Sequence, residues 1–242
     1  MYHNNKIYTT LAPKCKLKLS SIIETDMAQQ IPTELTTYLE KHIIVCYNGF
    51  DRAHDISHVR QVIEESLRLA RHYDVNPAMV LTIAAYHDTG LCRGREVHHL
   101  ASGEILQTDT TLRQWFTEEQ IKVMKEAVED HRASCGHAPR NIYGLIVAEA
   151  DRCIEPEYTL RRAVQYGLDH YPALGIQEQY QRFKEHVRSK YGESGYLKLW
   201  IPQSNNAKQL AKLRRIISDE EKLYTLFNRL YTELTASYPD IL

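Results

Sequence analysis

Apolar residues recur along most of this chain at spacings of three and four, the pattern of helices that bury one face. The first stripe, Leu35, Leu39, Ile43 and Val45, follows Pro32-Thr33 and predicts a helix ending near Asn48-Gly49. Val59, Val62, Ile63, Leu67 and Ala70 predict a second helix, with His58 flanking its buried face in the first turn. Asn76-Pro77 opens a third, which ends in His87-Asp88 and stops at Gly90. A short helix begins at His98-His99 and carries Ile105 and Leu106. Thr117 and Gln120 read as a capping box for a fifth. Its core stripe is Ile121, Met124 and Val128, with His131 three residues further on the same face. Another helix follows Pro139, turning Ile142, Leu145, Ile146 and Ala148 inward and carrying Asp151 near its end.

Beyond Asp151 the helical period continues over about 157–169, about 176–191, and one long final helix from near Asn206 to Ser237. Tyr171-Pro172 and Ile201-Pro202 mark the breaks. There is no alternating strand pattern, internal repeat or low-complexity segment. The expected fold is therefore all-α: a helical core over 31–155 and a helical C-terminal extension over 156–242 that packs on it. Residues 1–30 are mixed polar and basic (Lys14, Lys16, Lys18) with no helical period, and are expected to form a flexible tail. Met27 is a candidate natural start.

Charge and cysteine usage narrow the function class. Over 242 residues the formal charge is only -1, which argues against a nucleic-acid polymer held by bulk charge. No apolar run approaches the roughly 20 residues that cross a bilayer. The N-terminal stretch has no apolar signal core, so a cytoplasmic protein is expected. Five dispersed cysteines without C-x-x-C spacing read as reduced thiols rather than a disulfide frame or thiolate zinc site. Histidine is the unusual residue: there are twelve, many in the middle third.

Those histidines meet carboxylates where burial is expected. The segment Met79-Val80-Leu81-Thr82-Ile83-Ala84-Ala85 is apolar on all sides, so the His87-Asp88 pair closing it should be buried. Burying an imidazole beside a carboxylate is costly unless each is paired or bound to a metal. His58, His131 and Asp151 also fall on buried helical faces, and His98 or His99 can join them. Imidazole nitrogens and carboxylate oxygens without thiolate suit a divalent ion such as Mn, Fe, Zn, Co, Ni or Mg. Helical bundles assemble such centres from inward-facing side chains on neighbouring helices.

The series His58…His87-Asp88…Asp151 resembles the HD-domain superfamily of metal-dependent phosphohydrolases, named for its His-Asp doublet. His58-Val59-Arg60-Gln61-Val62 is close to the family's H-x-x-R-V, with the arginine one place early. Ala84-Ala85-Tyr86-His87-Asp88-Thr89-Gly90 matches A-x-x-H-D-I-G, and Asp151-Arg152 follows an apolar run as the last metal aspartate does. The resemblance covers about residues 50 to 155 and implies a helical bundle. Binuclear members add two histidines, aligned here with His98 (before Ser102-Gly103-Glu104-Ile105-Leu106) and His131-Arg132. Six ligands for one or two ions are thereby implied, with His99 competing with His98. One departure is clear: Leu91 stands where relatives place a catalytic glutamate or a lysine.

That resemblance implies hydrolysis of a phosphate ester or anhydride in a small, nucleotide-like or other phosphorylated substrate, with a metal-activated water as nucleophile. Asp88 would bridge or terminate the metals and could take the water's proton. Glu129, Asp130 and Asp55 are candidates for protonating the leaving group or supporting the histidines. Arg132 and Arg95, then Arg140, are candidate phosphate contacts. Two other readings share the ligand set: a di-iron oxygenase of the same superfamily, and a non-catalytic nucleotide-binding module. A homodimer is left open. His54 and Asp55 are expected to cap the second helix. His137, His170 and His186 are expected on the surface. Most of the sixteen tyrosines are expected to pack the C-terminal helices.

Overall fold

The computed structural model describes residue 19 and residues 30–51, 54–152 and 154–236. Among these, ten α-helices and no strand are found, so the fold is all-α. The flexible tail expected for 1–30 lies outside the described residues apart from Leu19 and Gln30; Leu19 is buried, its N–H donating to Glu40 Oε1 at 2.6 Å. The chain divides into two compact units, 1–151 and 152–242.

In the first unit, α1 (Thr33–Tyr38) runs on as a π turn over Leu39–Ile43 and a 3₁₀ segment over Ile44–Gly49. A π turn holds one extra residue, which rotates every later side chain around the axis. That rotation corrects the predicted stripe: Ile44 and Tyr47 are buried, whereas Val45 is 47% exposed. Helix α2 (Ile56–Ala70) starts on the Asp55 cap, whose Oδ1 accepts from Ser57 N at 2.8 Å and His58 N at 3.0 Å. Its stripe of Val59, Val62, Ile63, Leu67 and Ala70 is buried as expected. Helix α3 (Pro77–Tyr86), capped by Asn76, is buried at every position.

Around α3 pack α2, α4 (His98–Thr108), α5 (Glu118–Glu129) and α6 (Ile142–Asp151). The Thr117–Gln120 capping box is present at the start of α5. Helix α6 differs from the expected pattern: Ile146, Val147 and Ala148 are buried, but Ile142 and Leu145 are only half-buried. The doublet therefore emerges from the most deeply buried helix of this unit.

The second unit comprises α7 (Pro156–His170), α8 (Ile176–Tyr191), α9 (Asn206–Ser218) and α10 (Glu220–Ala236). The single long final helix expected from 206 is broken at Asp219, which is extended and accepts Lys222 N on its side chain at 3.1 Å. Phe183, Phe227, Leu213, Leu223 and Leu230 fill the core. Tyr180 is buried with them, but Tyr158, Tyr166, Tyr171, Tyr196 and Tyr224 are exposed, contrary to the packing expected of the tyrosines. A phenol hydroxyl is satisfied by water, whereas phenylalanine and leucine have no such alternative to the core. Among the described residues no helix is long and apolar enough to cross a membrane.

Candidate metal centre

The doublet lies just beyond α3, and two contacts fix the chain there. Tyr47, buried on the π-turn side, donates its hydroxyl to Ala85 O at 3.0 Å and accepts the Asp88 N–H at 3.2 Å. Gly90 donates its N–H to Ser102 Oγ at 2.8 Å. A Cβ on Gly90 would lie 2.2 Å from His98 O and 2.5 Å from Ser102 N, so only glycine lets the start of α4 seat against this turn. That close approach delivers His98, the first residue of α4, to the doublet.

Asp88 then serves two trios with opposite oxygens. Its Oδ2 is 3.2 Å from His87 Nε2 and 3.5 Å from His58 Nε2, while Asp151 Oδ1 is 3.3 Å from His58 Nε2. Its Oδ1 is 3.4 Å from both His98 Nε2 and His131 Nε2. Within each trio the imidazole Nε2 atoms approach to 3.2 Å: His58 to His87, and His98 to His131. Asp88 is 3% exposed and His87 and His131 are buried. The opening is on the side of His58 and Asp151, whose side chains are 18% and 25% exposed.

The far nitrogens say what faces the centre. Nδ1 lies 2.8 Å from Ala84 O in His87, 2.7 Å from Arg95 O in His98 and 2.6 Å from Val128 O in His131. A carbonyl only accepts, so each Nδ1 carries the proton and each Nε2 presents a lone pair inward. The His98 and His131 lone pairs thus confront one another at 3.2 Å, an arrangement that a shared cation relieves. Bonds of about 2.0–2.1 Å to a metal place neighbouring ligands about 2.8–3.4 Å apart between square and tetrahedral angles. The donor set fits divalent cations, and the groups His58-His87-Asp88 and Asp88-His98-His131 each meet the geometry for one ion.

Electrostatics separates the halves. Burial opposes ionisation of Asp88, yet His87, His131 and His58 hold its carboxyl well below the usual range. Burial likewise opposes Asp151, and His58 and His87 hold it low. His58 responds in kind: burial disfavours its charge, but Asp151 and Asp88 raise it to about 9. His131 is raised against burial by Asp88, whereas burial and then His131 push His98 down to about 4.

The remaining candidates fall into three groups. His98, rather than its neighbour His99, enters the trio; His99 Nδ1 is buried and has no hydrogen-bond partner among the described residues. Glu129, Asp130 and Arg140 are brought to one another: Arg140 Nη2 is 2.7 Å from Glu129 Oε2, and its Nε is 2.9 Å from Asp130 Oδ2. Arg132 donates to Glu96 O at 2.8 Å, and its charge helps lower both His98 and His99, after burial and His131. Arg95 is 63% exposed, 3.7 Å from Asp51. Asp55 is spent on the α2 cap, and His54 Nδ1 pairs with Asp51 at 2.7 Å. His137, His170 and His186 are exposed, as expected.

Two contributors escaped sequence reading. Tyr47 stands four residues after Ile43, so helical spacing marks it as core, but nothing in the chain announces its bond to Asp88. Ser102 was visible only as part of the motif after His98, and its hydroxyl holds Gly90.

No curated protein and no solved structure matches this chain. A protein-family model, the HD domain, matches residues 55–154, a span containing all six side chains of the two trios and Asp151. Order along the chain and convergence in space agree: residues 55–154 form an HD domain.

Proposed function

We propose that this chain hydrolyses a phosphate ester or anhydride of a small nucleotide-like or other phosphorylated molecule, using two divalent cations. His58, His87, Asp151 and Asp88 Oδ2 would hold the first, and His98, His131 and Asp88 Oδ1 the second. The observation that carries this reading is the division of Asp88, each oxygen turned to a separate pair of imidazoles. Cations bound there supply Lewis acidity to phosphoryl oxygens and a water of lowered pKa.

Charge favours a phosphoryl substrate. The ligand set carries two carboxylates, Asp88 and Asp151, so two divalent cations leave the pocket with a surplus of two positive charges. A phosphoryl group brings the matching negative charge into a site where burial strengthens the attraction. Arg132, anchored on Glu96 O beside His98, is the guanidinium best placed to add a forked contact. With Leu91 in the place of a polar catalytic residue, the leaving group in this reading takes its proton from another group or from solvent.

A screen over nucleotides and phosphate esters with metal-reconstituted protein tests this directly. Turnover lost in both His87→Ala and Asp88→Ala supports the proposal. Turnover unchanged in both, or oxygen uptake by iron-loaded protein in place of phosphate release, overturns it.

A further inference from the structure

The two trios are built differently. His58 lies in the first turn of α2, its N–H held by the Asp55 cap, and Asp151 is the last residue of α6. His131 stands past the end of α5 at Glu129, and its N–H reaches Val128 O at 3.4 Å. A metal ligand must be held to within about 0.5 Å of its working position. Beyond the helix end, another restraint has to do this.

Arg140 provides one. Asp130, the residue before His131, is 2% exposed, and both of its oxygens accept from Arg140. Oδ2 takes the Arg140 backbone N–H at 2.8 Å and Nε–H at 2.9 Å, and Oδ1 takes Nη2–H at 2.9 Å. The same Nη2 donates to Glu126 O at 3.1 Å and to Glu129 Oε2 at 2.7 Å. The last turn of α5 is thereby gathered on one guanidinium. Glu129 also backs onto α4: a Cβ on Gly103 would come within 2.7 Å of Glu129 Cγ. Helix α4 carries His98, so Arg140 is linked to the elements that bear both histidines of the second trio.

We infer that Arg140 is a positioning residue for the second cation, acting through Asp130 on His131 and through Glu129 on the α4–α5 contact. This rests on the two-cation reading above. It gives Arg140 a role other than phosphate contact, and gives Glu129 and Asp130 a role other than leaving-group protonation. A planar fork bonded on several edges is specific in a way that a lysine ammonium is not. Without the guanidinium, the buried Asp130 carboxylate keeps only the residue-140 N–H and His137 Nε2 at 3.8 Å, which would let the helix end, and His131 with it, relax away from Asp88.

The test is a manganese titration by calorimetry, with elemental analysis of the dialysed protein, on wild type, Arg140→Gln, Asp130→Asn and the double variant. Wild type is expected to hold two ions per chain. Each single variant is expected to lose one of the two affinities by about 10–100-fold and keep the other. The double variant is expected to be no worse than either single one, because both act through the same bond. If Arg140→Gln fails to fold, Arg140→Lys carries the same comparison, retaining charge without the fork. A residue that merely stabilised the fold would lower both affinities together or shift only the melting of metal-free protein. That result, or two unchanged affinities in the variants, overturns the inference and leaves the two-cation reading standing. A wild type holding a single ion overturns both.

Discussion

Tyr47 and Asp88 are joined by one hydrogen bond of 3.2 Å, from the Asp88 N–H to the Tyr47 hydroxyl, and that hydroxyl in turn donates to Ala85 O. Burial and the nearby Asp88 charge raise the phenol well above its ordinary value, so it stays neutral and keeps both roles. Tyr47→Phe removes the hydroxyl and leaves the Asp88 N–H and Ala85 carbonyl unsatisfied in the core. A loss of about 1–3 kcal/mol in denaturant unfolding is expected, with weaker metal binding. Unchanged stability would show that the hydroxyl is not needed to close the end of α3.

Gly90 is the point of closest approach between the doublet turn and α4. Its missing side chain admits His98 O and Ser102 N at distances no Cβ tolerates, and both neighbours are backbone atoms that cannot swing aside. Gly90→Ala should cost about 1–3 kcal/mol and weaken the second trio more than the first, because α4 is displaced. Thermal unfolding with and without manganese separates the two effects.

His98 and His99 are adjacent, and the sequence offers no physical ground for choosing between them. Only the folded chain does, by turning His98 Nε2 to Asp88 and His131. His98→Ala is therefore expected to remove one ion per chain, and His99→Ala to retain both. Elemental analysis after dialysis reads the outcome; the reverse pattern would exchange their roles.

Acid sensitivity should pass through Asp109. Burial works to raise its carboxyl, but the Tyr38 and Tyr86 hydroxyls and the Thr111 N–H bind the charged form and hold it below its ordinary value. A lowered folded value stabilises the protein above the unfolded pKa, and the benefit disappears as pH falls through the folded value. Asp109→Asn should cost about 1 kcal/mol at neutral pH, and the gap to wild type should close below about pH 4. Urea midpoints measured from pH 3 to 7 would show a constant gap if Asp109 played no part. Because Tyr86 immediately precedes His87, this network also steadies the start of the doublet.

Much of the centre was legible because burial and charge conflict on the page. A His-Asp pair at the end of an all-apolar helix demands partners, and His58, His131 and Asp151 are the polar residues that helical spacing aims inward. What was not legible depended on local backbone. The π turn at Leu39–Ile43 leaves Val45 facing outward and Ile44 inward, a shift no periodic pattern contains. The break at Asp219 is hidden because Ile216 and Leu223, seven residues apart, continue the apolar spacing across it while Asp219 itself caps the next helix. Arg140 looked like a phosphate contact because arginines suit phosphate; its partners, Asp130 and Glu129, lie ten and eleven residues earlier and meet it only once α5 and α6 are packed.

The central claim is that Asp88, shared between two cation sites, drives phosphoryl hydrolysis. Its most direct measurement is phosphate release from a panel of nucleotides and phosphate esters by wild type and Asp88→Asn, each chelated and then reconstituted with manganese. Release confined to reconstituted wild type, falling at least about 100-fold in the variant, is the expected result. Release that survives chelation or the Asp88→Asn change, or none across the panel from protein holding two ions, would contradict it.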